Sequence, residues 1–532
     1  MESTASSSAL ASRSTPVPKT LDTFDAKYAN RVMILLAAIV VVVLYIEGML
    51  IPSLPTIQSD FGVDTAQASV IISAYAASGV ALCPVVGKLG DIYGKRKVLI
   101  GVLLGYAASV SVTGFSPNFS FMIAARAIQG IGLTILPLGM ALMREEFPRE
   151  LVPRAQGLLS AMFGIGFAVS LPLGSLVSQD FGWRWTYHSA IPFVIALAIL
   201  AILWIRESQY RRPEAKVDYV GAALLGGGLA GVVTALSQGQ VWGWTSGLTL
   251  GFLVSGLALF IPFAIYESWW KRRAHEPIMD GKLLRERNVM VTNLVLTVVG
   301  LGMYLALFAL IYQFEWPAAS GGFSGGILDA GIWITPLAAS MTAVAVLASV
   351  LVSRIGVKPL AIGGAILTAI GFYLVSEATT LSQMLVYEVV VGAGIALLNA
   401  TIINLLVLTV DPKDMGQATA MNTAFRNTGG SVGAPIAGAL LATFVFGSGH
   451  YVGVATHSAF QYAYWIAAGV TLIGGIFVLF AEEVLGAHRH VKFAHHPQSE
   501  AGFRRARPAA TPGPTPPPTT EEPVGAAPRG LM

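Results

Sequence analysis

Residues Gly87 to Lys97 read GKLGDIYGKRK. Four cations (Lys88, Lys95, Arg96 and Lys97) and one acid, Asp91, crowd into this stretch of a chain that is 54% hydrophobic and 12% charged. Apolar runs flank it at 68–87 and 97–115. Each is about 20 residues long, enough for a helix to cross the roughly 30 Å hydrocarbon core of a bilayer. The stretch reads as a tight turn between two spanning helices, with its charge gathered where the chain meets water.

The same pattern continues in both directions. Runs at 32–52, 121–143, 155–178 and 187–205 complete a first set of six, and 219–238 and 247–267 follow. A last six lie at 289–313, 326–352, 359–378, 383–410, 417–446 and 459–481. This predicts an all-α polytopic membrane protein with fourteen transmembrane helices. A membrane barrel would need alternating segments of about ten residues, which the runs do not show. The expected organisation is a tail over 1–31, a bundle over 32–206, a linker with two extra helices over 207–288, a second bundle over 289–482 and a Pro-rich tail over 483–532. Both tails read as disordered. The first run lies too far in, and is too long, for a signal peptide, so it reads as a retained anchor.

Short loops on one side carry basic residues in clusters, among them Lys95 to Lys97, Arg211 with Arg212, and Lys271 to Arg273. They total 20, whereas the loops on the other side carry Arg184 alone. Cationic loops stay in the cytoplasm, so both termini are expected there, in a multi-pass protein of the cell membrane. The net charge of +4 is therefore a matter of topology, and the expected partner is the lipid bilayer, not nucleic acid. The single cysteine, Cys83, excludes an intrachain disulfide and reads as a small buried hydrophobe.

The two sets of six repeat weakly. The fourth helix begins RAIQGIG (Arg126 to Gly132) and the twelfth contains EVVVGAG (Glu388 to Gly394). In each, a charged residue precedes glycines at offsets of four and six, at the same rank within its set. An internal repeat of this kind is common in transporters.

GKLGDIYGKRK also resembles the signature of the major facilitator superfamily, through Gly87, Asp91, Gly94, Lys95, Arg96 and Lys97. Ile92 stands where that signature usually has a cation. ARAIQGIG resembles the superfamily's arginine motif in helix four. GIGFAVSLPLGSLV, with Gly164, Gly166, Pro172 and Gly174, resembles the helix-five motif of the drug/proton antiporters, with the proline displaced by one position. NTAFRNTGGSVGAPIAG and HEPIMDGKLLRERN are similar to the fourteen-helix branch of that group. The resemblance implies two six-helix bundles joined by two extra helices, a monomer, and proton-coupled efflux of small amphipathic molecules, with no cofactor beyond the proton gradient. It further implies that Asp91 meets a helix N-terminus or an arginine across the bundle interface and latches a cytoplasmic gate in the outward-open state. Gly87 is expected to allow close helix approach, and Gly94 a turn that a side chain would block. As turn cations, Lys95, Arg96 and Lys97 also need no further explanation.

A charge inside the hydrocarbon costs several kcal/mol, so each one is a candidate. Glu47, in the outer half of helix one, lies at a depth similar to Arg126 in helix four. Glu47 is the first candidate proton carrier, ionised beside Arg126 or protonated when desolvated; a structural ion pair is the alternative. Glu388, near the outer end of helix twelve, is the second, with simple solvation as its alternative. Gln129, Asn399, Asn404 and Arg426 are candidates for lining a substrate cavity or for bonding between helices. Tyr45, Tyr75, Phe163, Phe167 and Tyr304 are aromatic candidates for the cavity or the core. Glu315 and Asp329 are expected to be solvated at the outer rim.

No GxxxxGK[ST] phosphate loop occurs, and no metal-ligand or nucleophile constellation stands in the short loops. An enzyme is not expected. Uptake with protons, export of one dedicated metabolite and a transporter-like sensor stay open beside multidrug efflux.

Overall fold

The computed structural model describes residues 25–147, 152–207, 214, 216–273, 275, 277–410, 415–447 and 453–482, with backbone alone for 144, 152–161, 163, 164, 349, 350, 353, 415 and 416. Fourteen long helical segments occur among these residues. The first bundle holds α1 (Ala26–Gly48), α2 (Val70–Tyr93), α3 (Lys95–Gly114), α4, α5 (Val152–Phe181) and α6 (Trp183–Trp204). Helix α4 is made of Phe119–Gln129, a 3-10 turn over Gly130–Thr134 and Ile135–Glu146. The linker contributes α7 (Tyr219–Trp242) and α8 (Gly247–Arg272). The second bundle holds α9 (Arg287–Glu315), α10, α11 (Val357–Ser376), α12 (Leu381–Thr409), α13 (Met415–Thr443) and α14 (His457–Leu479). Helix α10 combines Ile327–Trp333 with Thr335–Ile355.

Twelve of these segments are long and apolar enough to cross a membrane. The other two, α5 and α13, are 30 and 29 residues long. The only β-type pairing among the described residues is a bridge between Val445 and Ala455. These residues belong to one unit, Met1–Gly486; the remainder, Ala487–Met532, lies outside the described residues, as do the tail positions 1–24. Helix α1 begins before the predicted boundary at 32. Asp25 caps it by accepting a bond from the Tyr28 amide at 3.1 Å, satisfying an otherwise orphaned donor.

Small residues set the spacing of the helices, as they do where lipid supplies no hydrophobic drive. Helices α1 and α5 meet where Gly48 faces Ser170, Gly166 faces Leu44 and Gly174 faces the backbone of Met49. Helices α9 and α13, of the same ranks in the second bundle, meet through Gly300, Gly429 and Gly433. The glycines of the two repeated motifs match more closely still. Gly130 packs on Ser78 of α2 and Gly132 on Tyr106 of α3. Gly392 packs on Ser340 of α10 and Gly394 on Thr368 of α11. In each bundle the first glycine meets the second helix and the second glycine meets the third. One-residue turns at Gly94 (φ 101°) and Gly356 (φ 96°) join the second and third helices of each bundle, in a backbone region that L side chains avoid.

Candidate functional site

Glu47 lies in the last turn of α1, buried at the interface of the two bundles. The Tyr75 hydroxyl, on α2 of the first bundle, donates to its Oε2 at 3.4 Å. The Tyr304 hydroxyl, on α9 of the second, donates to its Oε1 at 3.4 Å. One carboxylate is thus held by a donor from each bundle. Arg126 and Arg426 both act on it electrostatically, one from each bundle.

Arg126 is almost fully buried. Its Nε donates to the Ile71 carbonyl at 3.0 Å, and its guanidinium lies over the Tyr75 ring at 4.7 Å, a cation–π distance. One terminal nitrogen has no hydrogen-bond partner among the described residues. Gln129, one turn on, is buried, accepts from Thr113 at 3.4 Å and leaves its amide nitrogen unserved there. Arg126, Tyr75 and Glu47 therefore form one connected polar group, and the arginine is not a simple ion-pair partner of the acid.

The structure brings the other candidates to different places. Arg426 is half-buried on α13, where its carbonyl lies against Gly300. Tyr45 faces Ser189 of α6, on the side of α1 away from Glu47. Asn404 bonds the Ala400 carbonyl of its own helix at 2.8 Å, while the Asn399 carbonyl oxygen is buried and unpartnered among the described residues. Phe167 lies against Gly48 at the α1–α5 seam. The side chain of Phe163 and the surroundings of Gly164 fall outside the described residues.

Two acids depart from expectation. Glu388 is fully buried, not solvated, and neither carboxylate oxygen has a partner among the described residues. It stands where Arg126 stands in the repeat, four residues before the first packing glycine. The nearby Tyr464 hydroxyl of α14 donates to Gln313 of α9 at 2.6 Å. Neither Gln313 nor Tyr464 was marked by its own sequence context, because a neutral polar group in an apolar run does not stand out as a charge does. Glu315 is half-buried, with one oxygen unpartnered among the described residues, whereas Asp329 is exposed as expected and accepts from the Gly326 amide.

The opening stretch has a defined local structure. Asp91 pairs with Lys95 at 3.3 Å, four residues on across the Gly94 turn, and Lys95 reaches Glu145 of α4 at 2.5 Å. Arg96 donates to the Ile202 carbonyl at 2.6 Å, and Lys97 is exposed. Only Lys97 fits the description of a plain turn cation. Here Asp91 pairs within its own bundle. For Gly87 the expected close approach is not seen: a methyl carbon there would meet nothing within 4 Å among the described residues. Close approach falls on Gly90, whose added carbon would lie 3.1 Å from Leu138.

Besides the Glu47–Tyr304 bond and the packing of α2 on α13, the bundles meet on the face opposite the basic loops. Gly331 of α10 packs on Ser175 of α5, and the Leu328 amide donates to Gln179 at 3.3 Å. Gly438 of α13 packs on Thr65 and Ser69. A groove of about 380 Å³, lined by Leu440, Phe444, Tyr462, Trp465 and Ile466, lies on the outside of α13 and α14, away from Glu47.

Comparison with known proteins agrees with this architecture. The family model described as Major Facilitator Superfamily matches residues 36–344 and 292–512. An uncharacterized MFS-type transporter of Mycobacterium tuberculosis is 29% identical over 406 residues, covering 75% of this chain and 57% of that protein. The chain thus spans little more than half the length of that relative. The multidrug transporter protein MdtP of Bacillus subtilis is 25% identical over 428 residues, covering 78% and 76%. The crystal structure of a human organic anion transporter aligns with a TM-score of 0.57 at 16% identity, over 85% of this chain and 99% of that one, and shows the shared fold.

Proposed function

The chain belongs to the Major Facilitator Superfamily, and from that premise we propose that it is a proton-coupled exporter of small amphipathic molecules, cationic ones among them. Glu47 carries the coupling proton. The observation that supports this reading is the position of one buried carboxylate between Tyr75 of the first bundle and Tyr304 of the second.

Ionised, the carboxylate accepts both tyrosine bonds and ties the bundles together at the end of α1. At 3.4 Å both bonds are long, and each contributes about 0.5–1.5 kcal/mol. Protonated, it loses the charge that draws both hydroxyls, and the two bundles are freer to rock about the site. A cationic substrate placed beside Glu47 competes with the proton for the same negative charge, so that loading one expels the other. Glu388, in the place of Arg126 within the second bundle, is a second protonation site. The names of relatives, a multidrug transporter among them, point to the same substrate class.

The test is efflux of a fluorescent lipophilic cation from cells that make the wild type, Glu47→Gln or Glu388→Gln at equal levels. Wild-type efflux that stops when the pH gradient is collapsed, and a loss of about tenfold or more in Glu47→Gln, are expected. Efflux that survives collapse of the gradient rules out proton coupling.

A further inference from the structure

Two carboxyls meet at the basic end of the linker hairpin, in a place that the transport reading does not use. Asp218 caps α7, accepting from the Gly221 amide through Oδ1 at 2.6 Å. Glu267 lies in the last two turns of α8, and its Oε2 accepts from the Met279 amide at 3.3 Å. Each residue is only 5% exposed. The remaining oxygens, Asp218 Oδ2 and Glu267 Oε1, have no donor among the described residues.

These two oxygens face each other over Gly221. A methyl carbon on that glycine would fall 2.4 Å from Asp218 Oδ2 and 2.8 Å from Glu267 Oε1, so both converge on one small volume. When ionised, both oxygens can only accept, so neither can satisfy the other. A proton on Glu267 would supply the missing donor. Two buried like charges at this separation cannot both ionise cheaply.

Among the described residues, Lys216, two positions before Asp218, is exposed, and the charged groups at the end of α8 are held elsewhere. Lys271 is engaged by Asp280, and the Arg273 guanidinium lies 4.0 Å from the Trp269 ring. His275 packs against Trp270 at 4.5 Å, and Tyr266 is the remaining titratable neighbour on α8. Helices α2 and α13, which pack on α7, bring apolar residues to this region, Ala77, Val80 and Ala424.

We propose that Asp218 and Glu267 form a single-proton site on the basic face, and that the bound proton holds the linker hairpin to the loop leading into the second bundle. Met279, the residue held by Glu267, packs on two apolar clusters at once. One contains Leu225, Leu229 and Phe263 of the hairpin; the other contains Leu283, Val289 and Leu406 at the entrance to the second bundle. Loss of the proton leaves two carboxylates in mutual repulsion directly behind that contact. In the orientation set by the basic loops this site reads cytoplasmic pH. It needs no substrate and stands or falls separately from the proposed export.

The test is the thermal unfolding midpoint of the purified full-length protein, followed from about pH 5 to about pH 9 in the wild type, Glu267→Gln and Asp218→Asn. The unfolded chain gives up this proton at an ordinary carboxyl pKa of about 4, whereas the folded pair keeps it. Stability therefore falls as pH rises. Both amide variants keep a donor in place of the proton, and asparagine still caps the helix. The expected result is that wild type and variants coincide at the acid end and that the wild-type midpoint falls below theirs toward the alkaline end. A gap that does not change with pH overturns the proposal. So does a gap that added sodium or potassium closes, which would make the ligand a metal cation.

Discussion

Glu47 is held by two hydroxyls, each at 3.4 Å, from opposite bundles. Removing one hydroxyl while keeping the ring separates its bond from its packing. Tyr304→Phe is expected to slow transport about tenfold, the equivalent of roughly 1.4 kcal/mol, with the thermal midpoint nearly unchanged. Transport rates in vesicles check this, and an unaffected rate would remove Tyr304 from the site. At this scale the sequence is legible where a charge interrupts an apolar run, which is why Glu47, Arg126 and Glu388 stand out. It is silent about partners. The hydrophobic run that contains Tyr45 and Glu47 does not say that they point to different neighbours. Nor does anything beside Glu388 indicate that its expected water is replaced by apolar side chains.

Between helices, the informative residues are glycines, and their value depends on what lies opposite. A methyl carbon on Gly300 would fall 2.1 Å from the Arg426 carbonyl, while one on Gly87 would meet nothing within 4 Å among the described residues. Gly300→Ala is therefore expected to cost about 1–3 kcal/mol through overpacking, and Gly87→Ala to stay within about 0.5 kcal/mol. Thermal midpoints in detergent measure both, and a Gly87→Ala loss equal to that of Gly300→Ala would contradict the seam described for α9 and α13. The turn glycine Gly94, at φ 101°, sits between these cases: alanine there is strained by the backbone region alone, at about 1–2 kcal/mol. The positions of all fourteen helices were legible, because apolar length is a one-dimensional property. Which glycine of GKLGDIYGKRK approaches a neighbour was not, since that depends on the rotation of α2 against α4. The repeat was legible only as two glycine spacings. Its physical content, one glycine on the second helix and one on the third in each bundle, appears only once the helices are packed.

For the whole molecule, the bundles touch on the face opposite the basic loops. Alternating access requires those contacts to separate in each cycle. A methyl carbon on Gly331 would lie 2.6 Å from Ser175 Cβ, so a disulfide, which spans about 3.5–4.5 Å between Cβ atoms, fits once the seam eases apart by about 1 Å. With Cys83 replaced by serine, the pair Ser175→Cys and Gly331→Cys should form a bond on oxidation. That bond should abolish transport, and reduction should restore it. Continued transport in the oxidised form would mean that this seam does not open.

The most direct measurement is proton release from liposomes that contain the purified protein and an internal pH dye. Lipophilic cations and neutral amphipathic molecules are added under an imposed pH gradient, with the wild type beside Glu47→Gln. Proton movement on addition of a cation in the wild type, and its loss in Glu47→Gln, is the predicted result. Equal proton movement in both proteins would place the coupling acid elsewhere and contradict the role given to Glu47.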